Sequence, residues 1–111
     1  MAQEEITVVS ATITAGESLS SIIDCNHKTI LAILMPQEWT PANLSVQISP
    51  DGETFYDLFG EHGGEVSINV TPGTAVTGLA HLPVIMLRFR SGMRAAPVIQ
   101  EAERTFSIML F

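Results

Sequence analysis

The sequence predicts an all-β single domain: a β-sandwich or jelly roll of about seven or eight strands. Three observations predict it. Short runs rich in β-branched residues alternate apolar and polar side chains. Pro and Gly punctuate the chain at short intervals. No sustained i, i+3, i+4, i+7 apolar stripe of a helix is present.

The elements follow in order. Residues 1–4 are expected to be mobile, and the domain to span 5–111. "EITVVSATIT" (5–14) is β-branched and ends at Ala15-Gly16. "SLSSIID" (18–24) is a second short run. "TILAILM" (29–35) is continuously apolar up to Pro36, which suits a central strand buried on both faces. "LSVQIS" (44–49) sends Leu44, Val46 and Ile48 inward and Ser45, Gln47 and Ser49 outward. "TFYDLF" (54–59) alternates too. Pro50-Asp51-Gly52 joins these two runs with a preset φ, a side chain that bonds the backbone, and a residue free to take positive φ.

The second half repeats the theme. "EVSINV" (65–70) lies between Gly63-Gly64 and Pro72-Gly73. "VIMLRFRS" (84–91) puts Ile85, Leu87 and Phe89 on one face and Val84, Met86, Arg88 and Arg90 on the other. "GMRAAPVIQEAE" (92–103) reads as a long connection with at most one helical turn. "RTFSIMLF" (104–111) places Phe106, Ile108 and Leu110 on one face and is expected to be docked to its end.

At 111 residues the chain can bury one core without disulfides or a metal. The one cysteine, Cys25, allows no intrachain disulfide. The acidic start suggests no secretory signal, and no apolar run is long enough to cross a membrane as a helix. Charged residues make up 15% of the chain, against about 25% for an ordinary domain. So sparse a charge suits a protein covered by neighbours, although β-sandwiches also favour Ser and Thr on their surfaces. The net charge of −7 argues against nucleic acid and anionic membrane as partners. Ten of the twelve acids and the single Lys28 lie in residues 1–87, while all four arginines (Arg88, Arg90, Arg94, Arg104) and two glutamates follow. The basic end of one subunit could meet the acidic part of another, or the arginines could pair within their own subunit.

Candidate chemistry is sparse. Cys25 and His27 lie two apart, and His62 and His81 are the other histidines, but nothing in the spacing gathers three ligands or a nucleophile with its base. Cys25 reads as a core residue. Asp51, Glu53, Asp57, Glu61 and Glu65 cluster around the hairpin without the Asp-x-Asp-x-Asp pattern of a calcium loop, so a solvated hairpin end is expected. Trp39 reads as core. No cofactor, metal or catalytic residue is expected.

Taken together, "MPQEWTPANLSVQISPDGETFYDLF", "LRFRSG" and "APVIQEAERTF" resemble a family of small structural proteins of tailed bacteriophages and prophages. The matching positions are Met35, Pro36, Trp39, Ala42, Leu44, Ser49, Asp51, Gly52 and Phe55, then Arg90, Ser91 and Gly92, then Pro97, Val98, Gln100, Ala102 and Arg104. The resemblance implies a non-enzymatic virion protein similar to jelly-roll capsid cement (decoration) proteins. Such proteins sit as trimers on the outer capsid surface of particles made in the bacterial cytoplasm. The implied partners are the chain itself and the major capsid protein. Gln3, Glu4 and Glu5 and the Arg88/Arg90 face are the expected contact regions. The alternative is a ligand- or sugar-binding sandwich module of a tail fibre or baseplate.

Overall fold

Antiparallel pairing of nested segments organises the strands. The computed structural model describes residues 6–77 and 86–111, and among these it has no helix. The strands are β1 (Thr7–Ile13), β2 (Ile23–Asp24), β3 (Ile30–Leu34), β4 (Leu44–Ser49), β5 (Tyr56–Asp57), β6 (Ser67–Ile68), β7 (Ala75–Val76), β8 (Met86–Met93), β9 (Ala96–Pro97) and β10 (Arg104–Leu110). β1 pairs with β10, β2 with β8, β3 with β7, and β4 with β5. Each pair lies inside the one before it in sequence, so the chain is one long hairpin whose tip is the Pro50–Gly52 turn.

The long hairpin is rolled. Its segments fall alternately into a first sheet, β1-β10-β3-β7, and a second, β2-β8-β4-β5. The rolling adds the contacts β10–β3 and β8–β4. This is the connectivity of an eight-stranded jelly roll. β6 and β9 are two-residue additions to β4 and β8.

The tip is shaped by its own side chains. Asp51 Oδ1 accepts from the backbone N–H groups of Glu53 (2.8 Å) and Thr54 (2.9 Å). Ser49 Oγ accepts from the N–H of Gly52 at 2.7 Å. Gly52 sits at φ +81°, where a Cβ is disfavoured, and a Cβ there would also press on Met86 Sδ at 2.8 Å.

Alternation fills the space between the sheets. Ala11, Ile13, Ile33, Phe106, Ile108 and Leu110 come from the first sheet, and Leu44, Val46, Leu87 and Phe89 from the second, all essentially solvent-free. Phe106 takes the edge-to-face contacts of both Phe89 (5.7 Å) and Trp39 (6.0 Å). Truncating such a ring to alanine costs about 3–5 kcal/mol. Trp39 is core, as its sequence context suggested.

Three expectations change. β3 is not buried on both faces, because among the described residues no second layer lies outside its sheet. Leu31 is exposed at a bulge where Met109 faces Ala32 and Leu110 faces Ile30. Ser45, Gln47 and Ser49 do point outward from β4, yet all three are buried, because arginines of β8 and residues of the tip lie over them. The run 54–59 contributes only Tyr56–Asp57 to the ladder, with a lone bridge from Phe59 to Glu65. Val84 and Ile85, and the mobile segment expected at 1–4, lie outside the described residues.

Candidate interaction surface

The two sheets present opposite outer faces. On the second, β4 and β8 run side by side with Ser45 opposite Arg90 and Gln47 opposite Arg88. Period two sends these four side chains out together. Arg90 is nevertheless only 8% exposed. Its Nη2 lies 2.8 Å from Asp57 Oδ1, and its Nη1 lies 3.4 Å from Glu65 Oε2. Gln47 donates to Asp57 Oδ1 at 3.0 Å and accepts from Arg88 Nε at 2.6 Å. Arg88 stacks over the Phe55 ring at 4.1 Å. Arg94 Nε sits 3.4 Å from Asp57 Oδ2.

This network explains the local acidity. Burial pushes the Asp57 carboxyl up. The hydrogen bonds from Gln47 and Arg90, with the charges of Arg90 and Arg94, outweigh that and hold it below the ordinary carboxylate value. Arg88 is lowered by burial and by the neighbouring charge of Arg90. Of the hairpin carboxylates, Asp57 and Glu65 neutralise arginines and Asp51 shapes the turn. Glu53 and Glu61 stand exposed. Among the described residues no group of three His, Cys, Asp or Glu side chains could hold a metal ion.

The Arg88/Arg90 face, expected as a contact region, is engaged within its own chain. Arg90 is bound inside its own chain by two carboxylates, the intrachain alternative weighed in the sequence. Arg88 is half-buried against Gln47 and Phe55. Gln3, Glu4 and Glu5 lie outside the described residues.

A second polar cluster closes one end of the sandwich. Gln100 is completely buried. Its amide donates to Thr40 C=O (3.0 Å) and to Ser91 Oγ (2.7 Å), and its Oε1 accepts from Thr40 N–H (2.9 Å) and Arg104 Nε (3.2 Å). Trp39 Nε1 donates to Ala42 C=O at 3.1 Å. Gly92, at φ +89°, packs so close to the 96–98 backbone that a Cβ would lie 2.5 Å from Ala96 O. Residues 39–42, 91–92 and 96–104, far apart in sequence, thus meet in space as a clasp.

The outer face of the first sheet is different in kind. Inward positions on β1 are Ala11 and Ile13, so Ile6, Val8, Ser10 and Thr12 face out. On β10 the outward residues are Thr105, Ser107 and Met109; on β3 they are Ala32 and Leu34; on β7, Ala75. Across the sheet Val8 faces Met109, Ser10 faces Ser107, and Ser107 faces Leu34. Thr12 and Thr105 share a hydroxyl–hydroxyl bond of 3.0 Å. Ile6, Val8, Leu31 and Phe111 are all exposed. No described strand residue on this face is charged. In a chain of net charge −7, burying this face against a neighbour would desolvate no charge on its described strand residues.

Cys25 does not form a site with His27. The thiol is buried while the imidazole is exposed, on a tight turn in which Asn26 and His27 both take positive φ. Burial, with a smaller push from Asp24, raises the thiol pKa to about 11. His81 lies outside the described residues.

No protein-family model matches the chain, nor does any curated protein or solved structure. Strand order alone carries the jelly roll. The uncharged sheet face was missed in the sequence, although a signal was there: every second residue of "ITVVSAT" and "TFSIML" from the outward register is uncharged.

Proposed function

We propose that this chain is a non-enzymatic structural protein of a tailed-phage virion. In this reading it is a cement protein that self-associates on the outer capsid surface and bridges major capsid subunits. The single observation that carries the reading is the uncharged outer face of the β1-β10-β3-β7 sheet. A free monomer has no use for so broad an apolar and hydroxyl-bearing surface, whereas a subunit in a shell buries it. The jelly roll and the sparse charge are in keeping with this reading, as is the sequence resemblance.

The mechanism is mass action. A protein that binds the assembled shell and not its dissociated subunits stabilises the shell by its binding free energy. The trimer that the resemblance implies is the working stoichiometry. Gln3, Glu4 and Glu5 remain proposed contacts with the capsid. Arg90 is left out, because its charge is already satisfied within the subunit.

Electron cryo-microscopy of virions from the phage or prophage that encodes the chain tests the reading. The expected result is jelly-roll density outside the capsid, with the uncharged sheet face against a neighbour. Virions that lack the chain, or carry it only on a tail fibre, overturn it.

A further inference from the structure

We propose that the outer edge of β1 pairs with the same edge of a second copy of this chain, antiparallel and centred on Val8. The inference rests on backbone geometry and does not depend on the virion reading.

β1 ends its sheet, with β10 on one side only. The direction of its free backbone groups can be read from Thr12. Thr12 C=O accepts from Ser21 N–H at 2.8 Å, and Thr12 N–H donates to Ser21 Oγ at 3.1 Å. Thr12 therefore points away from β10. Both backbone groups of a residue in an antiparallel ladder point the same way, and the direction alternates along the strand. Ser10, Val8 and Ile6 must also point off the sheet. Among the described residues no strand pairs with them.

Bare edges of this length are normally guarded by a charge, a proline, a bulge or brevity. The other three sheet ends use brevity: β7, β2 and β5 have two residues each. β1 has seven, and from Ile6 to Ile13 it holds no Lys, Glu, Pro or Gly. Its one register irregularity is absent too, since the bulge of this sheet lies between β10 and β3.

The charge distribution selects the occupant. Two copies at −7 each repel unless they meet where neither carries charge. An antiparallel pair across the β1 edge brings Val8 to Val8 and Ile6 to Ser10, with no charged side chain opposite another. A basic partner strand would gain nothing from so neutral an edge. The register follows from the blocked end. Ser21 occupies the Thr12 position, so the open groups of the described strand are those of Ile6, Val8 and Ser10, whose centre is Val8. That register makes about six backbone hydrogen bonds, two for each of its pairs. It also joins the two uncharged outer faces into one continuous surface.

The test is a pair of single-cysteine variants under mild oxidation. At a hydrogen-bonded position facing itself the Cα atoms lie about 5.5 Å apart, within disulfide reach. Ser10 and its copy would be displaced by four residues, roughly 13 Å, which is out of reach. The native Cys25 is buried and does not compete. Val8→Cys is expected to form a covalent dimer and Ser10→Cys to stay monomeric on a non-reducing gel. In sedimentation, wild type should reach at least twice 12.0 kDa with rising concentration, and Val8→Lys should remain at 12.0 kDa with an unchanged thermal midpoint. A wild type that stays monomeric, equal cross-linking of both cysteine variants, or an oligomer indifferent to Val8→Lys overturns the proposal. A trimer with no Val8 cross-link overturns it while leaving the virion reading intact. Absence of the chain from virions would remove that reading while the Val8 cross-link still formed.

Discussion

The side-chain amide of Gln100 bonds the backbone of Thr40 as a neighbouring strand would, accepting from its N–H at 2.9 Å and donating to its C=O at 3.0 Å. The two residues are sixty apart in sequence. Gln100 therefore fastens the connection after β9 to the segment leading into β4, and its second amide proton holds Ser91 at 2.7 Å. Gln100→Leu keeps the volume but leaves half-buried Thr40 and buried Ser91 without these partners. Each unsatisfied group costs about 1–3 kcal/mol, so a loss of roughly 3 kcal/mol or more is expected from urea unfolding. A loss below about 1 kcal/mol, the worth of one ordinary hydrogen bond, would show that the clasp contributes little.

Gly92 and Gly16 separate crowding from backbone strain. Both hold positive φ, +89° and +84°. A Cβ at Gly16 meets nothing within 4 Å, whereas at Gly92 it lies 2.5 Å from Ala96 O and 2.6 Å from Val98 N. Gly16→Ala should cost about 1–2 kcal/mol, the strain of the left-handed region. Gly92→Ala should cost clearly more, because backbone must move. Equal shifts in the unfolding midpoint would mean that the 96–98 segment yields freely.

Asp57 links stability to pH. Its carboxyl is held below the ordinary value of about 3.9, so the ionised form favours the fold. That contribution is complete above the unfolded value and is lost as pH falls through the lower, folded one. Asp57→Asn should cost about 2–3 kcal/mol at pH 7, less than the 3–5 of a fully buried pair, since 19% of the side chain sees solvent. The difference from wild type should persist to about pH 5 and shrink below about pH 4. Thermal midpoints across that range measure it, and a difference that grows on acidification has the wrong sign.

Cys25 should behave as a silent thiol. It is buried, and its pKa of about 11 leaves almost no thiolate at neutral pH. Alkylation at pH 7.5 is expected to proceed only at the rate of unfolding and to accelerate in urea. Rapid labelling of the folded chain would place the β2–β3 turn in an open state.

The fold was legible because it is written in local terms. The period-two runs 44–49 and 104–111 show which of their residues face the core, and Pro50-Asp51-Gly52 marks the tip of the rolled hairpin. What those runs do not carry is which surfaces remain uncovered. Arg90 reads as an outward charge on its strand, and only the fold brings Asp57 and Glu65 over it. Gln100 reads as a loop residue, and only the fold buries it. Leu31 looks like part of a strand buried on both faces because period and hydropathy cannot reveal a missing second layer. The uncharged sheet face is assembled from β1, β10, β3 and β7, which are widely separated in sequence.

The central claim is that this face joins the chain to its neighbours. Ser107 lies on a middle strand of the face, between Ser10 and Leu34. A lysine there can extend into solvent in a lone subunit but is costly to bury in an interface. The direct measurement is the solution mass, by light scattering, of wild type, Ser107→Lys and a control, Thr54→Lys, on the exposed hairpin tip. The account predicts a multiple of 12.0 kDa above the β1-edge pair for wild type and control, and no more than that pair, twice 12.0 kDa, for Ser107→Lys. The same mass for all three chains, whether monomer or oligomer, would contradict it.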